Sequence, residues 1–359
     1  MARRAWSGVS AVVGAALVLA GCGSSEGGES TGSQAKAKEI VIGSAGGQAD
    51  NLIKEHLIPA FEKISGQGAP KVTLDGANFI GRPTMVVAEK DAKQGTYDAV
   101  QVTDTGMARL ISAGALMKLD TSKISNWSHV LDRAKNDYCA PAYYSAETII
   151  YNSKHVAGPT SWQALWDPKY KGKVGVVASM YQYAFFAASA VKANGEPGQD
   201  WVSGAGDRIQ QLGPNVRVYA SNDQLGQALV TGEVWLTYNR KARGALWADF
   251  DASSPLKTVV PSEGTMPTTF YYCIPKNAPH PDEAHAFLDA VLEPSAQLGM
   301  ATGLGYAPTV DNAELTPQLQ QAIGFSDDEQ SRIYDVDWNA QQEQAKEQDA
   351  IWQKYVIKK

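Results

Sequence analysis

Few residue patterns in this chain suit the making or breaking of covalent bonds. No G-x-S-x-G elbow occurs, and Gly43-Ser44-Ala45-Gly46 lacks its spacing. Neither H-E-x-x-H nor C-x-x-C is present. His280 and His285 flank Asp282-Glu283, but their spacing does not set both on one helical face. Asp327-Asp328-Glu329 reads as solvated charge that opens a helix. Groups suited to holding a solute are more numerous. Gly46-Gly47-Gln48 follows a short strand, where free N–H groups hold an anion or polar group, or simply make a tight turn. Asp104 and Thr105 open a helix, where Asp104 is either an N-cap or a ligand contact. Arg240, Lys241 and Arg243 form a cationic cluster. It suits an anionic or zwitterionic solute such as a phosphonate, or it is a solvated helix face.

The composition narrows the class. The chain has 359 residues, 44% hydrophobic and 19% charged. That is too long for one small domain and too apolar for a disordered chain. A formal net charge of −6 argues against neutralisation of nucleic-acid phosphates. Three cysteines exclude a disulfide-dense scaffold, and five scattered histidines leave little for a metal site. The pattern calls for no cofactor and no resident metal.

The elements that must position these groups alternate in kind. Ile40–Ile42 is a short strand, and Leu52, Ile53, Leu57, Ile58, Phe61 and Ile64 follow at helical spacing until Gly66. Strands at Val72–Leu74 and Tyr97–Val102 alternate with helices at Thr84–Lys93 and Asp104–Ala113. A second set has strands at Val174–Ala178, Val216–Tyr219 and Val234–Tyr238, with helices at Tyr181–Lys192, Asp223–Val230 and from Lys241. Repeated strand–helix units predict an α/β fold with mainly parallel sheets. Two long extended runs, Asp137–Asn152 and Thr268–Pro275, flank the second set. They suggest a chain that crosses to a second lobe and returns, leaving a cleft for a small molecule. Helix Pro281–Leu292 and a polar helical tail from Leu315, anchored by Trp338, Ile351, Trp352 and Tyr355, complete the chain.

The N-terminus reads as an export signal. Arg3 and Arg4 precede an apolar run from about Ala11 to Ala20, too short to span a bilayer. Leu19-Ala20-Gly21-Cys22 resembles the lipobox of bacterial lipoproteins, which implies cleavage before Cys22 and lipidation of its thiol. Residues 1–21 are then the signal peptide, and 22–37, rich in Gly and Ser, a flexible tether.

From Ile40 to about Val310 the chain resembles the solute-binding proteins of bacterial ABC importers, of the spermidine/putrescine-binding type. The match is carried by Tyr97-Asp98-Ala99-Val100 with Thr103-Asp104, and by Ala113-Gly114-Ala115-Leu116 with Leu119-Asp120. Thr160-Ser161-Trp162 through Tyr170-Lys171-Gly172-Lys173-Val174 continues it, as do Gly213-Pro214-Asn215-Val216, Gly232-Glu233-Val234-Trp235 and Val260-Pro261-Ser262-Glu263-Gly264. Ile274-Pro275-Lys276-Asn277-Ala278 and Gly305-Tyr306-Ala307-Pro308-Thr309 complete the series.

The resemblance implies a two-lobed periplasmic-binding-protein fold, type II-like, with two crossing hinge strands. Lobe 1 would be 38–141 with 273–310, and lobe 2 would be 142–272 with 311–359. It implies a monomeric, extracytoplasmic binder, not an enzyme, that hands a small solute to a permease driven by an ATPase. The membrane is reached through the lipid anchor. The ligand contacts it implies are Gly46, Gly47, Gln48, Asp104, Thr105, Tyr144, Glu147, Tyr181, Tyr183, Tyr238, Thr268 and Phe270. It places Cys139 and Cys273 at matching ends of the crossing segments, where export permits a disulfide.

Departures from the family pattern leave the ligand open. The Trp-x-Asp of polyamine binders is replaced by Thr268 and Phe270, and their second-lobe carboxylates by Tyr181-Gln182-Tyr183. Glu147, Asp104 and Asp223 are the acids left to meet an ammonium. Related importers hold ferric iron with paired tyrosines, as Tyr143-Tyr144 and Tyr271-Tyr272 would offer, but adjacent strand residues face opposite ways. A lipid-anchored hydrolase and a scaffold lipoprotein are the rival classes.

Overall fold

A computed structural model describes residues 38–358. Cys22 and the expected signal peptide and tether lie outside the described residues. Nine strands form one continuous sheet in the order β2-β1-β3-β9-β4-β7-β5-β6, with β8 paired on β4. The strands are β1 Glu39–Gly43, β2 Lys71–Asp75, β3 Ala99–Thr103, β4 Cys139–Asn152, β5 Val174–Val177, β6 Val216–Tyr219, β7 Leu236–Arg240, β8 Leu256–Val259 and β9 Pro267–Cys273.

Parallel pairing holds at the two ends, where β1 pairs with β2 and β3, and β5 with β6 and β7. The middle is antiparallel: β9 pairs with β3 and β4, and β4 with β7 and β8. The expectation of mainly parallel sheets therefore holds only for the strand–helix repeats. The cause is chain direction, because β9 returns beside β4 and must run against it. Helices Gly206–Leu212 and Pro294–Leu304 and strand β8 add to the elements read from the sequence.

Two apolar cores lie on either side of the antiparallel middle. One gathers Ile40, Ile42, Phe61, Phe287, Leu288 and Met300 beneath β1. The other gathers Trp162, Phe185, Phe186, Trp201, Leu225 and Trp352 around β5 and β7. A smaller cluster of Val86, Val100, Val102 and Leu110 includes Cys139 and Cys273.

The 14-residue β4 is nearly all buried, which explains why its sequence reads as extended and apolar without alternation. β4 and β9 are joined where Cys139 faces Cys273, and the two cysteines form a disulfide with Cα atoms 4.3 Å apart. It closes a loop across a sequence separation of 134 residues, spanning the whole second set of strand–helix units.

Helix Trp338–Trp352 ties distant parts together. Trp352 is buried in the second core, and Tyr181 Oη donates to the Ala345 carbonyl at 3.5 Å. From the same helix, Gln342 Nε2 donates to the Thr105 carbonyl and Asn339 Oδ1 accepts from Ser112. One helix thus touches both helix Asp104–Ser112 and helix Tyr181–Ala193. No helix among the described residues is long and apolar enough to cross a membrane.

Replacing both Cys139 and Cys273 by Ser should lower unfolding free energy by about 4 kcal/mol, because the loop released is long. Denaturant midpoints of the oxidised protein and the double variant, compared without reductant, measure it.

Candidate functional site

Strand alternation decides which side chains meet at the crossing. Tyr143 pairs with Phe270 and Ser145 with Thr268, while Glu147 pairs with Arg240 and Ile149 with Tyr238. Paired residues share a face, and alternate residues along β4 share it too. Tyr143, Glu147, Thr268, Phe270, Tyr238 and Arg240 therefore project from one face of the hinge. This face gathers the candidate solute contacts.

The aromatic part lies toward β3. Phe270 packs on Tyr143 with ring centroids 4.9 Å apart, on Tyr306 at 5.4 Å and on Phe79 at 6.1 Å. Such faces attract both apolar stems and cations. Gln101 fixes this wall, because its Nε2 donates to Tyr143 Oη at 2.7 Å and its Oε1 accepts from the Ala45 amide at 2.9 Å. Gln101 thus links the wall to the turn that precedes Gly46. Gly46 has φ 78°, and a side chain there would meet the Gly76 carbonyl at 2.7 Å. Only glycine allows that approach.

The charged part lies toward β7. Glu147 is 1% exposed, and its Oε1 stands 3.6 Å from Arg240 Nε. Thr268 Oγ1 donates to the same oxygen at a long 3.4 Å. Arg240 Nη2 donates to Tyr183 Oη at 3.1 Å, and the Tyr183 ring packs edge-on to Tyr238. Three buried polar atoms in this charged part have no hydrogen-bond partner: Glu147 Oε2, Arg240 Nε and Tyr238 Oη. Buried polar groups are nearly always paired, so these neighbouring orphans make the face a candidate for holding a further group. Burial pushes the Glu147 carboxyl up to about 7, against the opposing pull of Arg240.

Asp104 stands apart. Its Oδ2 accepts from the Thr269 amide at 2.6 Å, and its Oδ1 from Tyr271 Oη at 3.4 Å. Both oxygens are used to hold β9, so Asp104 is engaged inside the hinge. Burial raises its carboxyl to about 7, although those hydrogen bonds oppose the rise.

Several residues named from the resemblance are not brought together. Tyr144 projects from the opposite face of β4, where it stacks on Phe325 and lies under Arg133. Tyr143 takes the place expected of it, by strand parity. Tyr181 faces the C-terminal helix, on roughly the opposite side of its own helix from Tyr183, two residues on. Gln48 is exposed and donates to the Gly303 carbonyl, while Gly47 is an exposed turn residue. Thr105 Oγ1 lies 2.9 Å from Thr103 Oγ1.

The paired tyrosines are split by the same alternation. Tyr143 and Tyr144 face opposite ways, and Tyr271 reaches Asp104 while Tyr272 packs on Phe287. Neither pair presents two phenols to one ion. The cationic cluster also divides: Arg240 enters the hinge face, whereas buried Lys241 donates to the Gly324 carbonyl at 2.5 Å. His280 and His285 are engaged by Asp98 and by the Asp120 amide.

The sequence offers Tyr143 on the first crossing segment but does not single out Tyr306 or Gln101 for this wall. Parity puts Tyr143 on the Glu147 face, since it lies an even number of residues away. Nothing local points to Tyr306 or Gln101. A cavity of about 620 Å³ between helix Lys241–Trp247, β8 and helix Pro317–Ile323 shares no lining residue with the hinge face.

Two lobes crossed by paired strands, with unpartnered polar groups between them, define a solute-binding protein. Residues 57–326 match the family described as bacterial extracellular solute-binding protein, and the chain belongs to it. The chain is 27% identical over 298 residues to a spermidine/putrescine-binding periplasmic protein of Salmonella typhimurium, covering 79% of this chain and 82% of the relative. Its fold is similar to a solved ABC transporter chain from Clostridium perfringens, with TM-score 0.74 and 20% identity over 88% of this chain and 99% of the other. It is also similar to a solved spermidine/putrescine ABC transporter substrate-binding protein of Streptococcus pneumoniae, with TM-score 0.71 and 17% identity over 89% and 98%. The protein is therefore an extracytoplasmic, two-lobed substrate-binding protein of the ABC importer type.

The Glu147 carboxyl gives a pH signature with a definite sign. Its ordinary value is 4.5, and in the folded chain it lies at about 7. Between these values the folded state holds more protons than the unfolded one, so stability falls as pH rises through the window. Above about 7 the charge is buried in full and the loss is complete. Glu147→Gln removes this component. The melting temperature of the variant relative to the parent should rise between pH 5 and pH 8. A constant difference across that range would refute the assignment.

Proposed function

We propose that this chain is the lipid-anchored receptor of an ABC importer and captures a small amine-bearing solute for delivery to a membrane permease and its ATPase. The observation that carries the amine reading is Glu147 Oε2, a buried carboxylate oxygen with no partner, beside an aromatic wall. An ammonium supplies the missing donors, and the rings accept its charge and its alkyl stem. Polyamines such as putrescine and spermidine, the ligands in its relatives' names, are the first candidates.

Binding and closure are coupled on this reading. Lobe 1 (38–141 with 273–310) and lobe 2 (142–272 with 311–359) rotate about β4 and β9. Solute contacts made from both sides favour the closed state, and only differential affinity shifts such an equilibrium. Lipidation of Cys22 would hold the receptor at the outer face of the cytoplasmic membrane or in the periplasm, with residues 22–37 as tether. The working unit is a monomer.

A melting-temperature panel on the purified chain with putrescine, spermidine, aminoethylphosphonate, ferric citrate and simple sugars tests the amine reading. An amine should raise the melting temperature, with a stabilisation of about 2.7 kcal/mol at a hundredfold excess over Kd. Glu147→Gln should weaken that ligand by roughly tenfold to a hundredfold. A shift confined to sugars or ferric citrate would sink it. The anchor is tested separately: Cys22→Ala should move the protein from the membrane fraction to the soluble one.

A further inference from the structure

We propose that the solute carries a carboxylate beside its ammonium, an α-amino acid in place of a simple diamine. This rests on the amine reading above and deepens it. The argument starts from Arg240, which shares the hinge face with Glu147 by direct register.

A guanidinium in an ammonium site needs a reason. If Arg240 served only to neutralise Glu147, the pair would be expected to hydrogen-bond. It does not: Nε stands 3.6 Å from Oε1, and both Arg240 Nε and Glu147 Oε2 are buried without hydrogen-bond partners. Tyr238 Oη, on the same face, also lacks a partner. One orphan is a cationic donor, one an anionic acceptor, and one a hydroxyl that can do either. A group that completes all three must present an acceptor and a donor close together. The ammonium and carboxylate of an α-amino acid are separated by a single carbon, and they match a carboxylate and guanidinium about as closely spaced.

Charge gives the same answer. Asp104 also feels the Arg240 charge, but its oxygens are taken by the Thr269 amide and the Tyr271 hydroxyl, so the acid with an open acceptor on the face is Glu147. A diammonium ligand buried there would bring two positive charges to a single open carboxylate oxygen beside a guanidinium, which is costly. A zwitterionic head adds no net charge. Arg240 is 17% exposed as a side chain, and Tyr183 holds its far side through Nη2. The side chain of the solute would then lie along Tyr143, Phe270 and Tyr306.

Putrescine and L-ornithine form a matched pair, because ornithine is putrescine with a carboxylate added beside one ammonium. Titration calorimetry of the full chain with putrescine, L-ornithine and 4-aminobutyrate tests the proposal. Ornithine should bind about tenfold or more tighter than putrescine, the gain of one charge-assisted contact. Arg240→Gln should erase that preference by weakening ornithine far more than putrescine, and Arg240→Lys should keep part of it. The parent protein's ranking needs no variant, so misfolding of Arg240→Gln does not mask the result. Putrescine binding tighter than ornithine overturns the proposal and leaves the amine reading standing. Equal loss of both ligands in Arg240→Gln overturns it too, and tighter binding of 4-aminobutyrate than ornithine overturns the close spacing of the two charges. Binding of none of the three overturns both this proposal and the amine reading.

Discussion

The antiparallel pairing of β4 with β9 is the constraint from which the rest follows. It runs from Cys139 opposite Cys273 to Ala146 opposite Pro267, with one irregularity between Pro141 and Tyr143. Strand geometry then leaves no freedom over which side chains share a face. A shift of one residue would send Tyr143 and Glu147 into the opposite packing layer and bring Tyr144 and Ala146 to the face they now occupy. The disulfide at one end and the Thr269–Asp104 hydrogen bond further along both act against such a slip.

Electrostatics at the crossing reflect two different uses of an acid. Asp104 and Glu147 are both buried, and both carboxyls are raised by desolvation. Asp104 spends its oxygens on the backbone and side chain of β9, and so ties the start of a helix to a hinge strand. Glu147 keeps one oxygen unspent. An unspent buried acceptor is costly in the free protein, and that cost is relieved when a donor arrives. A binding protein can use such a group to make its closed form depend on the solute.

The helix Trp338–Trp352 adds a second link across the molecule. Its apolar anchor, Trp352, is sunk in one core, while its contacts to Thr105 and Ser112 are single polar hydrogen bonds. The deep contact is strong and the polar ones are weak.

Much of the fold could be read locally. The strands at Val216–Tyr219 and the helices beginning at Asp104, Tyr181, Lys241 and Pro281 follow from periodicity and from cap and stop residues, which depend on near neighbours alone. The two long extended runs marked the hinge by length and aromatic content. The candidate residues Glu147, Thr268 and Phe270 sit on those runs and share one face of the hinge. Facing could not be read from the sequence, and the structure turns Tyr144 and Tyr181 away from that face. Taken alone, the sequence determined the alternating elements, the crossing segments, the family and the stock of acids and aromatics. Tertiary structure decided that Arg240 leaves its cationic neighbours to stand beside Glu147, that Asp104 is consumed by the hinge, and that Tyr306 and Gln101 complete the wall. Those contacts join residues from different strands and loops, and their register is set by sheet pairing and packing that no local pattern encodes.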